Sequence, residues 1–182
     1  MSQFPESFKD PCAEANKTPF APNDRPSLEV AKTLAKCSSM DFHYGINKPD
    51  DLVEARKCAY LEMDEKEEMF FGGFSMLMMI YANGEGVDRN LDHALKFACS
   101  SDNGSYVDRI VLLKKESWNG DNFSICDQTD RWGVIHCADL DETLNEIERK
   151  VKISNFIQTW NQKDREAFKL LEKAFQSFVT DR

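Results

Sequence analysis

No uncharged apolar stretch in this chain is long enough to cross a bilayer as a helix. The longest, Met69 to Ala82, spans 14 residues where a membrane span needs roughly 20, so it reads as a buried core helix. The first 26 residues hold no apolar run of signal-peptide type, which leaves two expectations: a cytoplasmic chain, or one whose signal has been replaced by Met1. A surplus of basic charge is also missing. With 32 acidic residues against 23 basic ones the formal charge is -9, which excludes a general nucleic-acid grip and favours basic partners. Histidine is scarce, at 3 residues (His43, His93 and His136). No Gly-x-Ser-x-Gly elbow, phosphate-binding loop, His-Glu-x-x-His helix or dinucleotide glycine motif occurs. His93 reads as a surface or packing residue. Carboxylate pairs such as Glu67 with Glu68 or Asp139 with Asp141 are expected by chance at this acidity and read as solvated faces rather than a glycosidase pair. Asp102-Asn103-Gly104 lacks the rest of a calcium loop. The expectation is no enzyme activity, no cofactor and no metal.

What the chain does have is an ample core and an even set of cysteines. At 182 residues, 41% hydrophobic and 11% aromatic, it is long and apolar enough to fold without a metal, and broad disorder is excluded. Cys12, Cys37, Cys58, Cys99, Cys126 and Cys137 contain no Cys-x-x-Cys pair, which argues against a zinc ribbon or a thioredoxin-like site. Three disulfides in an oxidising compartment are the natural reading; the alternative is six reduced thiols packed as small hydrophobes. Cys126 and Cys137 are expected to flank a Gly-containing loop, Asp127 to His136, and closing that ring stabilises by roughly 3 kcal/mol in the loop-entropy model.

The sequence falls into three sections. Residues 1–26 carry Pro5, Pro11, Pro19, Pro22 and Pro26 and read as an extended N-terminal arm that Cys12 pins to the body. Residues 27–116 read as helix after helix, over Ser27 to Ser38, Asp50 to Met63, Glu68 to Ala82, Asp88 to Ser100 and Ser105 to Glu116, without the β-branched alternation of strands. The expected fold class is all-α. Displacing the chain by 39 residues places Gly45 on Gly84, Leu52 on Leu91, Ala55 on Ala94 and Ala59 on Ala98, with Phe42 on Tyr81. Two copies of one helical hairpin emerge. Glycine supplies the positive φ that ends the first helix, and alanines four apart let the second helix pack closely.

Tyr81-Ala82-Asn83-Gly84-Glu85-Gly86-Val87-Asp88-Arg89-Asn90, followed by Ala94 and Ala98, resembles the signature of Sel-one-like repeats. The resemblance covers about residues 27–100. The first copy departs from it, with Gly45-Ile46-Asn47 where a second glycine should stand. It implies an α-solenoid that binds protein on its concave face, with Gly45, Gly84 and Gly86 as repeat-turn residues.

Residues 117–182 open with a loop, Asn119 to Trp132, rich in Asn, Asp and Gly, followed after Cys137 by two long amphipathic helices. Leu140, Leu144, Ile147, Val151, Ile157 and Trp160 stripe the first and Phe168, Leu171, Phe175 and Phe178 the second; the aromatic stripe Phe168, Phe175 and Phe178 is expected to be core, with a partner-binding face as the alternative. The short break Asn161 to Asp164 folds the pair into an antiparallel hairpin. The order Cys126, Cys137, acidic helix, Trp160 and the Ala167-Phe168…Ala174-Phe175 run resembles the lysozyme-inhibitor LprI-like proteins. That resemblance implies a bacterial periplasmic or secreted protein that blocks a cell-wall-cleaving enzyme.

The function expected is an inhibitor or immunity protein that occludes a basic secreted hydrolase or toxin. The alternative is a non-inhibitory Sel-one-like scaffold in an envelope complex. Candidate docking segments are the repeat turns, the acidic stretch Glu62 to Glu68, and above all the loop Asn119 to Trp132. There Phe123 and Trp132 lie beside Asp121, Asp127 and Asp130, an aromatic anchor set rimmed by carboxylates. The alternative reading has Phe123 and Trp132 plugging the core beneath a disulfide.

Overall fold

The computed structural model describes residues 9–19, 24–64, 70–101, 103–115, 122–128 and 131–180. Among them every regular element is helical, as expected: α1 (Lys9–Ala15), α2 (Leu28–Thr33), α3 (Ser39–Tyr44), α4 (Leu52–Asp64), α5 (Gly73–Asn83), α6 (Leu91–Ser100), α7 (Gly104–Lys115), α8 (Arg131–Ile157) and α9 (Gln162–Thr180), with a 3-10 turn at Ile125–Gln128. The chain divides into two compact units, Met1–Asp139 and Leu140–Arg182. The cysteines pair as Cys12–Cys99, Cys37–Cys58 and Cys126–Cys137.

In the first unit, α3 packs on α4, α4 on α5, α5 on α6, α6 on α7 and α1 on α6. The helix α5 is apolar on all sides and almost wholly buried, as the unbroken Met69–Ala82 run requires. Its first residue, Gly73, lies against α4 so closely that an added Cβ would stand 2.2 Å from the Ala59 carbonyl oxygen. The four alanines of the repeat pattern, Ala55, Ala59, Ala94 and Ala98, are fully buried, so small side chains at four-residue spacing do set the close approach of α4 and α6 to their neighbours.

The 39-residue self-match recurs bond for bond. Gly45 (φ 68) and Gly84 (φ 75) end α3 and α5 in the left-handed conformation. The N–H of Ile46 donates to the Asp41 carbonyl at 3.0 Å and that of Glu85 to the Ile80 carbonyl at 3.0 Å. Past each turn the chain comes back to its helix: Asp51 N–H to the Phe42 carbonyl at 2.8 Å, Asn90 N–H to the Tyr81 carbonyl at 2.9 Å. Asp51 Oδ1 then accepts from Val53 and Glu54 N–H, and Asn90 Oδ1 from Asp92 and His93 N–H, capping α4 and α6.

Three expectations for the first unit need correction. The N-terminal arm is not wholly extended, because Lys9–Ala15 forms α1, with Pro11 in its first turn where a missing N–H costs no bond. The helix expected over Ser27 to Ser38 stops at Thr33, Lys36 takes a positive φ of 62, and a separate α3 starts at Ser39. That second start has two caps: Ser38 Oγ accepts from Asp41 N–H, and the Glu62 carboxylate accepts from both the N–H and the hydroxyl of Ser39. Finally, Cys126 and Cys137 do not bracket a loop throughout. Helix α8 begins at Arg131, so the bridge joins a 3-10 turn to the side of a helix.

In the second unit, Phe156, Trp160 and Phe168 form an edge-on ring cluster at the turn, with centroids 5.6 and 5.9 Å apart. Asn161 caps α9 through Asp164 N–H at 3.0 Å. Beyond the turn the apolar face of α9 is exposed: Leu171 68%, Phe175 60% and Phe178 58%. The stripe expected to be core is therefore more than half exposed at Leu171, Phe175 and Phe178.

Candidate functional site

The favoured docking loop splits when its residues are located. Phe123 is buried, edge-on to Tyr106 with centroids 6.4 Å apart. Its backbone is clamped by Asn83 at the end of α5: Phe123 N–H donates to Asn83 Oδ1 at 2.6 Å, and Asn83 Nδ2 donates to the Phe123 carbonyl at 2.9 Å. It is a core plug that ties the loop to the second repeat, and it is unavailable as a surface anchor here. Trp132 is exposed, on the first turn of α8, and Asp127 is exposed, its carboxylate accepting from Ser124 N–H at 3.2 Å. Asp121 and Asp130 lie outside the described residues, as does most of Glu62 to Glu68. Glu62 itself is spent on capping α3.

The repeat turns carry a second constellation. His43 Nε2 lies 2.6 Å from Glu85 Oε2, joining α3 of the first hairpin to the turn of the second. Arg56 reaches from α4 to the Gly86 carbonyl. Gly86 (φ 66) sits so close to α4 that a Cβ there would meet Leu52 Cβ at 2.8 Å.

A third group was not foreseen in the sequence. Tyr81 on α5 donates to Asp24 Oδ2, and its hydroxyl lies 3.0 Å from that of Tyr60 on α4. Arg56 Nη2 faces Asp24 Oδ1 at 3.6 Å, with both side chains largely buried. Beside them Tyr81 stacks on Phe97 (centroids 5.7 Å) and meets the His93 ring edge-on at 5.0 Å. Burial, reinforced by the Asp24 and Tyr60 bonds, pushes the Tyr81 hydroxyl well above the ordinary tyrosine range. Burial likewise raises Tyr60, against the opposing bond from Tyr81. Nearby, His93 Nε2 lies 3.0 Å from the Pro19 carbonyl oxygen, and Lys96 Nζ donates to the Thr18 carbonyl. The one signal for this cluster lay in the repeat itself: Tyr81 carries a hydroxyl where the first copy has Phe42, and a buried hydroxyl requires a partner.

Among the described residues no group of three or more His, Cys, Asp or Glu side chains is arranged to hold a metal ion. None of their helices is long and apolar enough to cross a membrane. No family model, curated protein or solved structure matches this chain.

Proposed function

We propose that this chain is an extracytoplasmic protein-binding module that occludes a basic secreted hydrolase or toxin, an inhibitor or immunity protein built on Sel-one-like hairpins. The observation that carries the reading is the segregation of charge between the two units. Residues 1–139 hold 24 acidic residues against 15 basic ones, and residues 140–182 hold 8 against 8, so the whole net charge of -9 resides in the helical-repeat unit. An acidic unit held by three disulfides raises the association rate with a basic enzyme, and a preorganised scaffold limits the ordering cost of binding. Three disulfides fit an oxidising compartment such as a bacterial periplasm. The Sel-one-like reading draws support from hydrogen bonds that repeat at 39 residues. Trp132 and Asp127 are the exposed members of the proposed docking loop, and the LprI-like reading of the C-terminal section stays part of the proposal.

The test is capture of partners from a periplasmic extract at low salt, identification by mass spectrometry, and titration of the partner's turnover with this protein. Stoichiometric loss of activity, with affinity falling as salt rises, is expected. Capture of an enzyme whose turnover is unchanged on saturation overturns inhibition. It would favour the second reading, a scaffold, for which the exposed apolar face of α9 on an electrically neutral unit offers a surface of different chemistry.

A further inference from the structure

The exposed apolar side of α9 has a regular form. Phe168, Leu171, Phe175 and Phe178 follow one another at spacings of three and four residues, the repeat of a helix that packs lengthwise on another helix. Helical periodicity places Ala167 and Ala174 on one flank of this seam, where they leave room for a close neighbour, and Arg165 and Glu172, opposite in sign, on the other. Neither of those two charges forms an ion pair among the described residues, whereas Glu146 and Glu148 on α8 pair with Arg149, Lys150 and Lys152. Helix α8 does not fill the seam: the two helices meet at the ring cluster and are not packed side by side.

Area and charge together favour a second α9 as the occupant. Phe156, Leu170, Leu171, Phe175, Phe178 and Val179 are 52–71% exposed. At roughly 100 Å² each they present about 600 Å² per chain and about 1,200 Å² for a pair, the lower end of specific interfaces. An anionic bilayer calls for a polar face rich in Lys and Arg, and α9 carries four basic residues against three acidic ones. A partner charged with one sign meets a like charge at either Arg165 or Glu172, and a unit of 8 acidic and 8 basic residues offers it no long-range attraction. A second copy brings both signs, no net charge on this unit and a seam of the same spacing, so that one patch serves both sides of a two-fold pair.

We propose that the chain self-associates through α9, the seams of two copies closing on each other in a weak, micromolar dimer. An amphipathic helix draws most of its stability from the packing of its apolar face, and α9 obtains that packing from its copy. The dimer presents two acidic units at once, which gives it bivalent reach toward any partner with more than one site. Association of this kind involves the second unit only and does not depend on what the first unit binds.

The test is sedimentation equilibrium of the full, disulfide-intact chain at concentrations from about 1 μM to about 300 μM, a span that brackets micromolar association. The average mass should climb from that of one chain toward that of two. Leu171→Gln with Phe175→Gln should weaken association by about a hundredfold or more, since each copy loses two apolar side chains from the seam. Glu166→Gln with Lys173→Gln, on the opposite face of α9 and neutral in net charge, should leave it within about twofold. A single-chain mass at every concentration, an unaffected dimer in the Leu171 and Phe175 variant, or equal weakening by both pairs of substitutions overturns the proposal. At about 1 μM the unaltered chain should also fail to float with phosphatidylcholine vesicles containing about one quarter phosphatidylglycerol. Flotation there would assign the seam to a lipid surface and overturn the dimer.

Discussion

Asn47 and Gly86 hold the same left-handed backbone conformation 39 residues apart, with φ of 62 and 66. The first repeat turn thus reaches with asparagine the geometry the second reaches with glycine, because asparagine is among the few residues with a side chain that enter this region at modest cost. The missing second glycine changes the residue and leaves the turn intact. The two positions differ in one respect: Gly86 lies against Leu52 with no room for a Cβ, whereas Asn47 already carries one.

That difference makes the first prediction. Gly86→Ala should destabilise the protein by about 1–3 kcal/mol, through left-handed strain and the 2.8 Å approach to Leu52 Cβ. Asn47→Gly should change stability by no more than about 1 kcal/mol, since glycine takes the same φ and chiefly adds freedom to the unfolded chain. Urea denaturation of both variants checks the contrast; equal losses would refute it.

Gly73→Ala should be worse than either. The added methyl group meets backbone, with Ala59 O at 2.2 Å and Met63 N at 2.4 Å, and backbone cannot rotate away. Helices α4 and α5 must separate, at about 3 kcal/mol or more. Thermal unfolding is the measurement.

Oxidised protein should carry no free thiol, and reduction should expose six, readable by intact mass after alkylation. The bridges should differ in worth. Cys12–Cys99 closes 87 residues and Cys126–Cys137 closes 11, so loop entropy assigns about 4–5 kcal/mol to the first and about 3 kcal/mol to the second. Paired serine replacements, compared by denaturant midpoint, test the order.

Tyr60 and Tyr81 both have raised proton affinity in the folded protein, with the ordinary value of 10.0 as the reference. Their protonated forms therefore contribute stability that is fully present below pH 10 and is lost as pH rises through the folded values. Tyrosinate absorbance gained near pH 10 should fall short of that of the urea-unfolded chain, and the gap should narrow, without closing, in Asp24→Ala, since burial remains. Complete ionisation of all 4 tyrosines near pH 10 in the folded state would contradict the network.

Replacing Asp121, Asp127 and Asp130 with Asn should weaken capture of a basic partner and flatten its salt dependence, with an unchanged melting temperature. Unchanged affinity would move the contact to the repeat turns or the Glu62 to Glu68 stretch.

The helical class, the largely buried Met-rich helix and both glycine turns were legible because each rests on local physics: apolar periodicity, apolar run length and the freedom of glycine at positive φ. The Cys126–Cys137 pair was legible from its short separation. Three things were not. The break between α2 and α3 depends on Glu62, 23 residues distant from Ser39, whose carboxylate lets a new helix start there. Phe123 looks like an anchor in sequence, but the clamp from Asn83 is 40 residues away. The stripe on α9 has the spacing of a core face, yet periodicity states that a face is apolar without stating what covers it. The Asp24 cluster was hidden for the same reason, since it joins an irregular segment to three separate helices.

The bridge pattern also bears on how the protein must be made. Cys37–Cys58 is nested inside Cys12–Cys99, so the cysteines do not pair in the order in which they leave the ribosome or the translocon. An N-terminal-first chain presents Cys12 and Cys37 together long before Cys99 emerges. An oxidant acting on each neighbour in turn joins those two, and the native set is then reached only by thiol–disulfide exchange through a mixed disulfide. For a chain oxidised in that order, production depends on reshuffling capacity more than on oxidising power, and the Cys12–Cys37 isomer is the species expected where no isomerase acts.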